Sequence, residues 1–482
     1  MLFRSGDPAR RAFATQYNLG TYIPDGVNSK RAGKAFFSYP IYTDASNPDT
    51  SAVQREAKVV GGGSFINVGA WVRPIRVDFE GFAQETGVEG WGRDDFERHF
   101  LKAEGICNVG RNKRENWNRV SVMYEQAARA MGIEAMETAS NRKRCILCGQ
   151  RLNAGMPCKY DSLMGTAMTQ IPKALAAGAV LEDNAMARQI IVENKRAVGV
   201  IYERNGEFRT ARARKLVVAS AGAVGTPALL LDSGVGQLNK NVGNFLRAHP
   251  GIAMDALLPA EEYWGTDRGY QWNVSHFVQD NEGNHIDVLV HASAGFPAAT
   301  PWVAANVGFF GKPYKDLMRR YPQRAGAFLF QLKPNMFGKV VGGTQKPALL
   351  YRMADTTGTL EPKILNDFIW GVKQVASVYK KLGAIETFPN PNQPRALLAR
   401  EISQLVTTAG ALHPQSTCRA AATRDLGVVD KNCMSFDVEN LMCCDASAIP
   451  HHISSNPNAM IMAVASKCAD FVNSQILNGV AR

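Results

Sequence analysis

A chain of 482 residues, 45% hydrophobic and 20% charged, is long enough for two large domains or three smaller ones with substantial cores. No stretch approaches roughly 18 consecutive apolar residues, and the opening MLFRSGDPARRAF lacks the apolar core of a signal peptide. A membrane span is therefore not expected; a cytoplasmic setting is, with a periplasmic one requiring a leader upstream of Met1. The formal charge of +12 is spread along the chain, with small knots at Arg142, Lys143, Arg144 and again from Arg212 to Lys215. It reads as solvated basic surface, and no nucleic-acid motif gives it a specific partner.

The first 56 residues carry Gly, Pro, Asn and Asp turn signals with little periodicity, and irregular structure is expected there. Then comes AKVVGGGSFINVGAWVRP, where Gly61, Gly62 and Gly63 can take positive φ and let the backbone approach a ligand closely. Free N–H groups in such a loop can cradle a phosphate, although a glycine-rich turn is more often only a turn. Asp94 and Asp95 mark a helix start. The spacing of Cys145, Cys148 and Cys158 invites a metal, but no further ligand group completes a site, so none is assigned. Nine cysteines, two of them adjacent at Cys443 and Cys444, fit buried free thiols in a reducing compartment better than a disulfide framework.

Three short strands follow, over 189–193, 197–203 and 208–213, with Asn205-Gly206 as the second hairpin turn. A buried strand over 215–219 runs through Ser220-Ala221-Gly222-Ala223-Val224-Gly225-Thr226-Pro227 into a helix over 228–233, closed by Gly234. Strand, small-residue turn and helix make half of a dinucleotide-binding unit. From Phe245 to about Thr408 the pattern changes to short alternating stretches and long helical periods over 361–382 and 396–407, which reads as a second domain of sheet and helices.

The tail offers two polar side chains to one region. His413 lies in ALHPQSTCRAA, and Asn456 lies in Ser454-Ser455-Asn456-Pro457, ahead of a small-residue apolar helix. Pro457 suits a first helical turn, where its missing N–H costs nothing. A buried helix opening on a polar loop suits an anionic or polarised ligand group. On these residues alone, a histidine before a proline is more often a structural group, and an asparagine before a helical proline more often only a cap.

Five segments in order change that balance. GGGSFINVGAWVRP, ASAGAVGTPALLLDSGVG, NVGNFLRAHP, HPQSTC and NLMCCDASAIP…SSNPNAMIM resemble the signatures of the glucose–methanol–choline (GMC) oxidoreductases, FAD-dependent alcohol and sugar oxidases and dehydrogenases. CILCGQ…PCKYDSL and the short 236–241 link are similar to the bacterial sugar- and gluconate-dehydrogenase branches. The resemblance implies a two-domain α/β fold. An FAD-binding Rossmann-like domain would span 1–245 and 405–482, and a substrate domain with a mainly antiparallel sheet under helices would span 246–404.

It further implies His413 as the base for a substrate hydroxyl, an imidazole near its ordinary ~6.5, and Asn456 as the group that orients the alcohol. Gly62, Gly63, Ser64 and Asn67 would line the flavin and its pyrophosphate, and Gly222, Thr226 and Pro227 would shape the strand-to-helix turn. Asp445 and Ala446 would lie by the pyrophosphate and ribityl chain, and the helix from Pro457 would face the flavin ring. His451 and His452 are nearby rivals that do not align with the catalytic pair. The substrate would be an alcohol or sugar, with a quinone or redox protein as acceptor.

The family's opening strand, GxGxxG turn and ribose-binding Glu are not found ahead of the glycine loop. The expectation is a mis-called start or a fragment; a partner chain supplying the unit, or a flavin-free relative acting as a scaffold, are the alternatives. Ser416, Ala420 and Ala421 also depart from the family's GTCRMG, and Ala248 from its DHP acid.

Overall fold

The computed structural model describes residues 2–3, 36–42, 53–147, 158, 160–260, 272–294, 311–320, 323–334, 337–351, 360–409 and 411–477. The largest sheet is antiparallel. Its strands run in the order Glu386–Phe388, Arg247–Leu257, Arg324–Gln331, His285–Ala294, Val274–Gln279 and Met136–Glu137. A seventh strand, Ala411–Gln415, pairs with the start of Arg247–Leu257.

Alternation along each strand sends neighbours to opposite faces. One face packs under the helices Pro362–Lys381 and Arg119–Ala130. Leu329 meets the first so closely that a Cβ on Gly371 would stand 2.6 Å from its Cδ2. His276 reaches the second and bonds Tyr124 Oη at 2.9 Å. The other face carries His249, Ser275, His291, Phe328 and Phe330, paired across strands as Ser275 with His291 and His291 with Phe328. Gly251, opposite Phe330, makes room for the aromatic pair: a Cβ there would lie 3.2 Å from Phe328 and 3.4 Å from Phe330.

The second body begins with the expected meander, Ala185–Glu193, Arg196–Arg204 and Glu207–Arg212. Asn205 and Gly206 turn the chain with φ of 54° and 83°, both left-handed as a tight hairpin requires. The strand Val217–Ala219 pairs in parallel with Leu441–Cys443. The helix Asn458–Phe471 packs on Arg93–Cys107 through a core that includes Phe96, Phe100, Met460 and Val464. The two-domain α/β architecture expected above is the one observed. The eight described cysteines are all free thiols. Cys148 and most of the Cys-rich segment lie outside the described residues, as does most of the chain before Phe36. Among the described residues no helix is long and apolar enough to cross a membrane.

Two expectations need correction. The first 56 residues are not wholly irregular, since Phe36–Tyr42 pairs antiparallel with Val53–Ala57. Tyr39 and Ile41 alternate into the core and outweigh Pro40, which normally argues against a strand. The helix placed over 228–233 starts earlier, at Gly222, and runs to Asp232 with Pro227 inside it. Pro227 cannot supply an N–H to the carbonyl of Ala223, one turn back. Thr417 supplies the missing donor, its Oγ1 lying 2.6 Å from Ala223 O.

That substitution of donors is testable. Thr417→Val leaves a buried carbonyl unpaired and should destabilise the fold by about 1–3 kcal/mol in urea denaturation. In a Pro227→Ala background, where residue 227 regains its own N–H, the same change should cost clearly less; equal costs in the two backgrounds would contradict this account of the helix.

Candidate active site

The antiparallel pairing of Ala411–Gln415 with Arg247–Leu257 slips between Arg247 and His249. At this irregularity His413 and Ser416 take left-handed backbone angles, φ 61° and 72°, which non-glycine residues rarely adopt. The result places the His413 ring against His249, with the two Nδ1 atoms 3.0 Å apart and the rings nearly perpendicular at 82°. Phe330 covers His413 from the sheet, ring centroids 5.1 Å apart, and also touches His291 at 5.8 Å. His291 Nε2 lies 2.9 Å from Asn456 Oδ1. Of the two catalytic candidates from the sequence, His413 touches Phe330 directly, and Asn456 is linked to that ring only through His291; no hydrogen bond joins the two.

His413 lies deep in the protein yet keeps part of its surface open. Burial, then the neighbouring His249 and His291, push it well below the ordinary histidine value expected for it. Burial also lowers His249 and His291 to about 4. All three rings are neutral near pH 7, so the Nδ1–Nδ1 contact carries one proton, with one imidazole donating and the other accepting.

The remaining predicted residues fall in two groups. Gly61 and Gly62 have φ of 96° and 55°, and a Cβ on Gly63 would meet nothing within 4 Å, so this loop has an open side. Ser64 and Asn67 are turned onto the chain itself. Ser64 Oγ donates to Gly61 O at 2.7 Å, and Asn67 Oδ1 accepts from Gly69 N at 2.9 Å. They shape the loop from inside.

The second group surrounds the start of the Gly222–Asp232 helix. Asp445 accepts from Gly222 N at 2.8 Å, Thr226 Oγ1 at 2.6 Å and Ser447 N at 2.8 Å. Ala446 O accepts from Ser416 N at 3.0 Å. Glu56, given no role by the sequence, closes the same turn. Its Oε2 lies 2.9 Å from where a Cβ on Gly222 would stand, and burial followed by the charge of Asp445 pushes its carboxyl up to about 8. Pro457 directly precedes the helix Asn458–Phe471, as expected.

The rings of His451 and His452 lie 4.2 Å apart, tilted by 40°. Asn456, rather than either of them, is joined to the sheet. A cleft of about 450 Å³ between Phe245, Phe337, Lys339 and Tyr351 contains none of the predicted site residues. His249, Ser275 and His291 were missed by sequence reasoning, because what brings them to the site is strand register, which no local pattern reports.

The family model described as "GMC oxidoreductase" matches the chain in its N-terminal part at residues 33–251 and in its C-terminal part at 348–465. The chain belongs to the GMC oxidoreductase family. An uncharacterized GMC-type oxidoreductase of Sinorhizobium fredii is 25% identical over 467 residues, covering 94% of this chain and 88% of the relative. Mitochondrial choline dehydrogenase of Homo sapiens is 25% identical over 475 residues, covering 87% and 76%. The crystal structure of pyridoxine 4-oxidase from Mesorbium loti superposes with a TM-score of 0.69 at 16% identity, covering 98% of this chain and 93% of that one, which shows a shared fold.

FAD is the cofactor of this GMC oxidoreductase. Its residues fit the ring portion. Buried polar atoms without a partner concentrate beside His413 and Asn456: Gln415 Oε1, Ser416 Oγ, Ser447 Oγ, Ser455 Oγ, Asn458 Nδ2 and both ring nitrogens of His452. Each such atom costs about 1–3 kcal/mol unless something polar meets it, and the polar edge of an isoalloxazine is a suitable partner.

Stability should depend on pH through these imidazoles. Burial holds His249, His276 and His291 at about 4 and His451 at about 3, with His413 and His452 also well below the usual value. The folded chain keeps them neutral where the unfolded chain takes up protons below about pH 6.5, so stability is lost as pH falls through that range. Glu56 at about 8 and Asp255 at about 6 act in the opposite sense, because the folded chain retains their protons. The histidines outnumber them, so the urea midpoint should drop from pH 7 to pH 5; a flat or rising midpoint would contradict the burial described.

Proposed function

We propose that this GMC oxidoreductase oxidises the CH–OH group of a small alcohol, in the class of sugars, polyols and related alcohols. The observation that carries this reading is the His413–His249 pair set against Phe330, whose ring also touches His291, the hydrogen-bond partner of Asn456. With the His413 Nδ1 proton donated to His249, the lone pair of His413 Nε2 is left for a hydroxyl proton. A base of this kind typically contributes about 10²–10⁴-fold. Asn456 holds the hydroxyl oxygen while His413 takes its proton and the carbinol carbon gives up hydride. FAD, when bound, supplies the two-electron acceptor. Because burial keeps the His413 imidazole neutral, the base stands ready across the neutral range instead of titrating within it.

Gly62 and Gly63 would approach the cofactor, with Ser64 and Asn67 supporting their loop, and Asp445 and Thr226 would fix the neighbouring turn with Gly222 and Pro227. Ala446 and Pro457 would border the ring. Relatives named for choline and for long-chain alcohols support a hydroxyl-bearing substrate. A quinone or redox protein as acceptor, in preference to oxygen, follows from the likeness to the sugar- and gluconate-dehydrogenase branches.

A dye-linked screen of alcohols, sugars and polyols with the FAD-loaded protein should find substrates that bleach the flavin bands. Bleaching by no member of the panel would overturn the reading. His413→Ala should lower kcat by about 10²–10⁴-fold while the flavin spectrum persists; retained turnover would move the base to His451 or His452.

A further inference from the structure

Behind Asn456 runs an unbroken line of buried polar side chains. Thr138 Oγ1 lies 2.5 Å from Ser275 Oγ, Ser275 Oγ lies 2.6 Å from His291 Nδ1, and His291 Nε2 lies 2.9 Å from Asn456 Oδ1. Thr138, Ser275, His291 and Asn456 are 5%, 2%, 0% and 9% exposed. Trp272 stacks on the His291 ring at 4.5 Å, and Phe330 stands edge-on beside it at 5.8 Å, itself 6.4 Å from Trp272. These contacts hold the plane of the ring, and its bonds to Ser275 and Asn456 set which nitrogen meets which neighbour.

With the Asn456 oxygen facing His291, the chemistry of the donors gives this line one direction. A carboxamide oxygen only accepts, so His291 Nε2 carries the proton. A neutral imidazole then has a bare Nδ1, which must accept from the Ser275 hydroxyl. Ser275, having donated, accepts from Thr138. Reversing any link reverses all of them and turns the Asn456 oxygen outward.

We infer that His291 is a positioning residue that fixes the Asn456 carboxamide with its oxygen turned inward and its NH₂ presented to the reacting oxygen of the substrate. This rests on the proposed oxidation and adds to it. Asn456 is a donor only, so its partner is an oxygen that gathers negative charge as His413 removes the proton. An interaction that strengthens as that charge develops acts on kcat more than on KM. Sequence alone gives Asn456 as a helix neighbour; the donor assignment comes from the substrate-domain sheet behind it.

The test has two arms. Long-range ¹H–¹⁵N spectra of the protein without substrate, assigned by loss of one histidine in His291→Gln, report which ring nitrogen bears the proton. A proton on Nε2 is expected; a proton on Nδ1 overturns the inference, whatever the enzyme's activity. In turnover, His291→Leu should lower kcat by about 10- to 100-fold with a smaller change in KM, the scale expected when a reacting group is mispositioned. His291→Gln, whose carboxamide N–H can replace Nε2–H, should restore most of that loss. The double variant with Asn456→Ala should be no slower than Asn456→Ala alone. Unchanged kcat in a folded His291→Leu, or full additivity with Asn456→Ala, overturns the inference. Absence of any substrate for the wild-type protein refutes the proposed function and leaves the spectroscopic arm to decide on His291.

Discussion

The segment from Ala411 to Ala420 is held from two sides, and the site depends on that double attachment. On one side Ala411–Gln415 adds a strand to the large sheet beside Arg247–Leu257. On the other, Ser416, Cys418 and Ala420 donate their N–H groups to the carbonyls of Ala446, Ser447 and Ala448 at 2.8–3.0 Å. The two sets of bonds do not follow one regular strand, and the mismatch is absorbed at His413 and Ser416. A left-handed non-glycine residue costs on the order of 1–3 kcal/mol and persists only when its surroundings leave no alternative. Here the surroundings are the His249 bond, the Phe330 ring and the ladder to 446–448.

The same enclosure sets the electrostatics. Five of the eight histidines lie on or beside this segment, and burial keeps them uncharged. The buried carboxyl pair of Glu56 and Asp445 stands a short way off, at the start of the Gly222–Asp232 helix. Asp445 accepts from three donors, and burial followed by the charge of Asp445 pushes the Glu56 carboxyl toward its neutral form. Two like charges in one low-dielectric turn cannot both be held cheaply.

Features governed by near neighbours were legible in the sequence. The Asn205-Gly206 hairpin, the start at Pro457 and the helices Pro362–Lys381 and Arg395–Ala409 all stand close to where their local patterns put them. His413 and Asn456 were legible only through the order of several segments. His291 was hidden by a misleading pattern. In HIDVLVHASA the alternation puts Ile286, Val288, Val290 and Ala292 on one face, which reads as the core side and leaves His291 on the apparent solvent side. That second face is buried too, because the tail folds over it, and only long-range register reveals this. The start of the Gly222–Asp232 helix failed for a similar reason. Pro227 argued for a boundary, and the donor that cancels its effect, Thr417, is far away in the chain.

An alcohol hydroxyl is a donor and an acceptor at one oxygen. Under the proposed reading, the site answers with two neutral groups whose directions are each set from behind. His249 draws the Nδ1 proton of His413 and leaves an acceptor in front; Thr138, Ser275 and His291 draw the oxygen of Asn456 and leave a donor in front. Neither device needs a formal charge, which a region this buried would resist. One reaches the site from the strand Arg247–Leu257 and the other from Val274–Gln279 and His285–Ala294, so a single face of one sheet sets the polarity of both catalytic candidates. Substitutions in that sheet can therefore change the chemistry of a tail they do not belong to.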